Sequence, residues 1–137
     1  DDNIAIQTNW IPWAQQTTWS PDGWTLSFRR SESDMDTLWT ADFDGNNLNI
    51  VWEGVFSEAR WLPDGRLTYF TPGKEGGAAC WALEPRTGTR ELLADASVIV
   101  WKPVSTFAVS PLGNALAFEA QDRQLWILHL PIAGYRE

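Results

Sequence analysis

Side chains able to act as a nucleophile, a base or a metal ligand are few in this chain of 137 residues. His129 is the only histidine and Cys80 the only cysteine, so no His/Cys zinc site can be assembled within one chain and no internal disulfide can form. Ser20 and Ser110 share one local setting, Ser-Pro-x-Gly. A nucleophile at one would imply the same at the other, and no Gly-x-Ser-x-Gly elbow exposes either. Asp42 and Asp44 have the alternate spacing of carboxylates in a calcium loop, yet Asp42-Phe43-Asp44-Gly45 also reads as a strand end followed by a turn. No glycine-rich loop follows a strand and opens a helix, as a phosphate cradle requires. The expectation is therefore no catalytic residue, no metal site and no cofactor.

Binding chemistry has better material. The chain holds ten tryptophans. Trp19, Trp39, Trp61 and Trp81 recur in step and are expected to pack between structural units. Trp10, Trp13 and Trp101 fall in connecting segments, Trp10-Ile11-Pro12-Trp13 and Val98-Ile99-Val100-Trp101-Lys102-Pro103. An exposed indole there can stack on a sugar ring or receive a partner side chain, the alternative being packing within the fold. Charge is uneven. Residues 1–53 hold nine acids against Arg29 and Arg30, whereas residues 54–137 hold nine acids against eight bases. This excess disfavours nucleic acid, whose phosphates call for a basic surface. It fits a cationic peptide or a basic protein surface, the alternative being a merely solvated face. The candidate binding set is Trp10, Trp13, Trp101, Asp34 and Asp36.

The elements that position these residues come from a repeat. Trp19-Ser20-Pro21-Asp22-Gly23 is followed by Trp61-Leu62-Pro63-Asp64-Gly65 and by Val109-Ser110-Pro111-Leu112-Gly113, and each turn leads into the same events. Leu26 and Phe28 precede Leu38-Trp39 and Gly45, Leu67 and Tyr69 precede Cys80-Trp81 and Gly88, and Leu116 and Phe118 precede Leu125-Trp126 and Gly134. The turn glycines lie 42 and then 48 residues apart, near the period of about 40 to 45 residues of a four-stranded propeller blade. Proline presets the first corner of the turn and Asp-Gly closes it. Trp24-Thr25-Leu26-Ser27-Phe28-Arg29 alternates as a half-buried strand does. Further strands are expected at Thr37 to Phe43 and Leu48 to Trp52. In the second unit a one-residue deletion after Gly65 keeps Leu67 and Tyr69 on the buried face, because a one-residue slip exchanges the faces. No stretch sustains a helical period, so the class is all-β: three four-stranded antiparallel repeats over 15–52, 57–94 and 105–134 in a single repeat domain, 1–137.

A Trp-Ser-Pro-Asp-Gly turn, a strand of apolar-x-aromatic form and an apolar-Trp strand ending in Asp-Phe-Asp-Gly resemble the TolB-type propeller repeat, related in architecture to the WD repeat. The likeness covers nearly all of residues 15–134 and weakens in the third unit, where Val109 replaces the Trp and Leu112 the turn Asp. The resemblance implies a six-bladed propeller, mostly non-catalytic. Its members serve as a protein-interaction surface in the bacterial periplasm or as the gating propeller of prolyl-oligopeptidase-like peptidases. A periplasmic or extracellular place is implied by the resemblance alone.

The last repeat stops at Ala133-Gly134-Tyr135-Arg136-Glu137, where an outer strand should begin, and residues 3–8 offer an unassigned outer strand before the first turn. Strand exchange of that kind removes exposed edges. Propellers have about four to eight blades, so three repeats are too few to close one, and the six blades that the resemblance implies would make them half of a ring. Either two copies close it as a homodimer, or the chain is part of a longer propeller; an open, capped three-blade solenoid is the third arrangement. No apolar run is long enough for a membrane span, and no leader segment is evident. The expected function is a protein-interaction scaffold using axial-face loops. Glycan or small-ligand binding by Trp stacking and service as the accessory propeller of a peptidase are the alternatives.

Overall fold

The computed structural model describes residues 14–32, 35–100, 107–119 and 123–130. They form two compact units, one ending at Gly54 and one beginning at Val55. The first unit is a four-stranded antiparallel sheet in the order β1-β2-β3-β4: β1 (Gln15–Trp19), β2 (Thr25–Glu32), β3 (Met35–Asp42) and β4 (Asn49–Glu53). The turn between β1 and β2 is held by its own side chains. Asp22 Oδ1 accepts from Ser20 Oγ at 2.6 Å and from the Trp24 amide at 3.0 Å, and Gly23, at φ 79°, donates its amide to the Ser20 carbonyl. That left-handed angle is costly for residues with a Cβ and open to glycine.

The strands β2 and β3 run further than the apolar alternation indicated. Pairing continues through Arg30↔Thr37, Ser31↔Asp36 and Glu32↔Met35, because the ladder is a backbone feature and does not need the apolar alternation to persist. β1 carries a bulge between Gln15 and Thr18, with Gln16 at φ 53°. β4 has a register shift opposite Leu38 and Trp39.

The second unit holds two sheets. The four-stranded one has the order β5-β6-β7-β8: β5 (Arg60–Trp61), β6 (Leu67–Pro72), β7 (Gly77–Leu83) and β8 (Arg90–Val100). A single 3-10 turn at Lys74–Gly76 joins β6 to β7. The last sheet, β11-β10-β9, comprises β9 (Phe107–Val109), β10 (Ala115–Glu119) and β11 (Leu125–His129). It has three strands among the described residues; the place expected for its outer strand, after Gly134, and the expected closing strand at 3–8 lie outside them.

Aromatic-Trp pairs define equivalent positions in the three sheets: Phe28↔Trp39, Tyr69↔Trp81 and Phe118↔Trp126. β8 shifts register opposite Cys80 and Trp81, at the place where β4 does in the first sheet. Strand alternation gives each sheet two faces. The front face of the middle sheet carries Thr68, Phe70, Cys80 and Ala82. The rear face of the last carries Leu116, Phe118, Trp126 and Leu128. These two faces pack together around Phe70, whose ring centroid lies 5.5 Å from those of both Phe107 and Phe118, and Leu62, Leu93 and Leu130 complete the core.

In the middle sheet Leu67 and Tyr69 are buried, as the chosen register predicts, and Thr68 and Phe70 on the opposite face are buried as well. β6 is a two-sided interior strand, and its near-continuous apolar sequence reflects that. Trp19 departs from expectation: with 52% of its surface exposed, it is not enclosed as a tryptophan between packed sheets would be.

Candidate binding surface

Of the five residues singled out in the sequence, Asp36 is described; Trp10, Trp13, Trp101 and Asp34 lie outside the described residues. Asp36 stands on β3 beside the β2–β3 hairpin and is engaged at both oxygens. Arg29 Nη2 donates to Oδ2 at 2.6 Å and Ser31 Oγ donates to Oδ1 at 2.7 Å. Arg29 Nη1 also reaches Gln16 Oε1 at 3.3 Å, so the group ties the bulged β1 to β2 and β3. Burial alone would raise the Asp36 pKa. The hydrogen bonds from Arg29 and Ser31, with the Arg29 charge, outweigh it and hold the carboxyl below its ordinary value. This carboxylate works inside the sheet and has little left for a ligand.

The opposite end of the first sheet presents aromatic surface. Thr25↔Asp42 is the last registered pair of β2 and β3, which sets Trp24 and Phe43 facing one another just beyond it. Their rings meet edge to face at 4.8 Å, and they are 60% and 57% exposed. The carboxylates of this end are turn-builders with accepting capacity to spare. Asp42 accepts from Asn47 Nδ2 and Asp44 from the Asn46 amide, and the latter bond, more than any other cause, lowers the Asp44 pKa. Trp24 has no tryptophan equivalent in the other repeats, which carry Arg66 and Asn114 after their turn glycines; the legible signal is that it and Phe43 flank two turns of one sheet.

The calcium-like spacing resolves as two turns. Glu53 stands at the twelfth place counted from Asp42, but it pairs with Thr37, five residues from Asp42 along β3 and about 16 Å away at strand rise. Among the described residues no group of three or more His, Cys, Asp or Glu side chains is placed to hold a metal ion.

Ser20, Ser110 and Cys80 are committed to the fold. Ser20 Oγ donates to Asp22 and accepts from the Thr25 amide. Ser110 Oγ donates to Asn114 Oδ1 at 2.7 Å and accepts from the Asn114 and Ala115 amides; Asn114 thus supplies the bond that Asp22 gives in the first turn, where Leu112 cannot. Cys80 is buried, and desolvation, opposed by its contact with Thr68, pushes its thiol up to about 11. A thiol so held is almost wholly protonated near neutrality and a poor nucleophile. His129 is exposed at the end of β11.

In the second unit the Arg90 guanidinium lies 3.8 Å over the Trp81 ring, whose Nε1 donates to Thr71 Oγ1 at 2.8 Å. A cleft of about 280 Å³ is lined by Leu62, Pro63, Asp64, Leu112 and Gly113, where the second and third Pro-x-Gly turns come together. Gly113 is pressed there: a Cβ would sit 2.8 Å from Pro63 Cδ.

Known structures identify the architecture. The chain resembles a mutant puromycin hydrolase complexed with PGG, with a TM-score of 0.62 and 19% identity over 91% of this chain and 22% of the hydrolase. It resembles TolB from Acinetobacter baumannii with a TM-score of 0.57 and 19% identity, over 82% of this chain and 28% of TolB. The β-propeller domain of the Trilobed protease from Pyrococcus furiosus, described as having an open velcro topology, gives a TM-score of 0.57 and 13% identity, over 85% of this chain and 39% of that one. The fold is that of TolB-like propeller blades, and the chain spans well under half the length of each of these proteins. No protein-family model matches the chain, and no curated protein matches it by sequence.

Proposed function

We propose that this run of TolB-like propeller blades acts by binding a protein partner and performs no chemistry of its own. The observation that carries the reading is the engagement of Ser20, Ser110 and Cys80 in turns and core, while the aromatic surface of Trp24 and Phe43 is left open at the strand ends. Trp24 and Phe43 present an apolar, partly quadrupolar surface beside Asp22, Asp42 and Asp44. That combination suits a cationic side chain, which gains from both ring face and carboxylate. The partner is a basic protein segment, and the acidic first repeat steers its approach.

The test is a tryptophan-fluorescence titration with a Lys/Arg-rich peptide, alongside an acidic peptide and a panel of neutral oligosaccharides. Binding of the basic peptide, weakened by salt and by Trp24→Ser, is expected. A response to the sugars alone would replace this reading with glycan stacking. Turnover of fluorogenic peptide or ester substrates by the purified chain would overturn it.

A second reading is favoured by the peptidase and hydrolase among the structural neighbours: the blades serve as the accessory propeller of a hydrolase. It requires a hydrolase domain encoded in the same gene, with these blades inactive alone.

A further inference from the structure

We propose that the cleft where the second and third Pro-x-Gly turns meet is the socket for one aliphatic side chain of a partner protein, flanked in that partner by Lys or Arg. The inference rests on the basic partner proposed above and adds the residue that anchors it. The cleft is apolar because the repeat is broken at two places. Ser20 and Ser110 open the first and third turns, whereas Leu62 opens the second and is 1% exposed. Asp22 and Asp64 precede the glycine in the first two turns, whereas Leu112 does so in the third and is 74% exposed. Asn114 supplies the hydrogen bond to Ser110, so that turn does not depend on residue 112, and an apolar side chain is left at the edge of the cleft.

The walls are set in place without a ligand. A Cβ on Gly113 would sit 2.8 Å from Pro63 Cδ, so the Pro63 ring lies directly against the third turn. Saturated carbon of Leu62, Pro63 and Leu112 lines the space together with the Gly113 backbone, and Asp64 is the charged residue among them. At about 280 Å³ the cleft falls below the range of about 300 to 1,000 Å³ of small-molecule and cofactor sites, which suits a single side chain.

The rim selects what flanks that side chain. Arg66 donates from Nε and Nη2 to Asp64 Oδ2, both at 2.9 Å, and from its backbone amide to Oδ1 at 3.1 Å, while Nη1 donates to Glu91 Oε1 at 2.8 Å. One guanidinium thus orients two carboxylates, and the trio keeps a negative balance beside the cleft. A carboxylate offers about four acceptor sites; these bonds use three on Asp64 and one on Glu91, so both retain capacity for a partner's cation. Their side chains are 46% and 60% exposed. Held by Arg66 in the free protein, they need little ordering on binding, and the net charge of −8 on the chain favours the approach of a basic segment.

Fluorescence anisotropy of a dye-labelled peptide tests this on the full chain. A Lys/Arg-rich peptide with one central leucine is expected to bind at least about tenfold more tightly than the same peptide with serine there. Leu112→Asn, a polar residue that turns accept, should remove this preference and leave the affinity for the serine peptide unchanged. Added salt should weaken both peptides and leave the preference in place. Basic peptides that bind without regard to the leucine, or a preference that survives Leu112→Asn, overturn the socket while the basic-partner reading stands. Failure of every basic peptide to bind overturns both. N-acetyl-leucine amide binding as tightly as the peptide, or a dimer that Leu112→Asn dissolves, would give the cleft to a small ligand or to a second copy and overturns the proposal as well. The peptide comparison uses the unaltered chain, so it decides the matter even if the variant unfolds.

Discussion

The first and middle sheets share a design and differ in what fills one position. Both have a Pro-Asp-Gly turn, an aromatic residue paired with a tryptophan, and a register shift opposite that tryptophan. Where the middle sheet has Phe70, in contact with Phe107 and Phe118, the first has Arg29, bonded to Asp36 and Gln16. The one position carries an apolar ring packed on the neighbouring sheet in one blade and a polar clasp among the blade's own strands in the other, although Ser27, Leu38 and Thr40 of the first sheet's front face are buried as well. Local sequence therefore makes the blade, and the residue at this one position decides whether a ring or an ion pair is set into its front face.

Removing the ring at the packed position should have the largest effect. Phe70→Ala deletes a side chain 1% exposed and is expected to cost about 3 to 5 kcal/mol, measured as a lowered urea midpoint. Loss of less than about 1 kcal/mol would erase the contrast between the sheets. Next comes Gly113→Ala. It places a Cβ at φ 74°, a strain of about 1 to 3 kcal/mol, and adds the Pro63 clash. Gly65→Ala, at φ 92° with open space around it, carries the strain alone, so the difference between the two reads the close approach of the turns.

The clasp should respond more weakly and with pH. Asp36→Asn is expected to cost about 1 kcal/mol near neutrality. Because the folded state holds this carboxyl below its ordinary value of 3.8, its contribution is fully present above that value and disappears as pH falls through the lower, folded pKa. The Asn variant should lack that part of the acid dependence, so the two stability curves converge at low pH. The smallest effect is Trp24→Ser, which removes an exposed ring and should change stability by no more than about 0.5 kcal/mol while removing the fluorescence response to a basic peptide.

Much of the blade was legible because the repeat states it three times. The turn residues, the aromatic-Trp pairs and the all-β class follow from positions that recur. The two-sided burial of β6 was not legible, since a run such as Leu67-Thr68-Tyr69-Phe70 reads as one buried face until a neighbouring sheet covers the other. Exposure of Trp19 was hidden for a related reason: recurrence shows that a residue occupies an equivalent place in each blade, not how much of it is enclosed there. The candidate site was less legible still. Asp36 looked like a free acid because the partner that consumes it, Arg29, lies across a strand pair, and the Trp24–Phe43 contact was hidden because Phe43 faces Trp24 from the other end of a hairpin.

The most direct measurement is amide hydrogen exchange on the unaltered chain and on the Phe70→Ala variant, compared strand by strand. The account predicts that β6 and β7, buried on two faces, are the slowest in the unaltered chain, and that they lose protection in the variant while β2 and β3 keep theirs. A middle sheet that exchanges as fast as the first, or protection of β6 and β7 indifferent to the substitution, would contradict it.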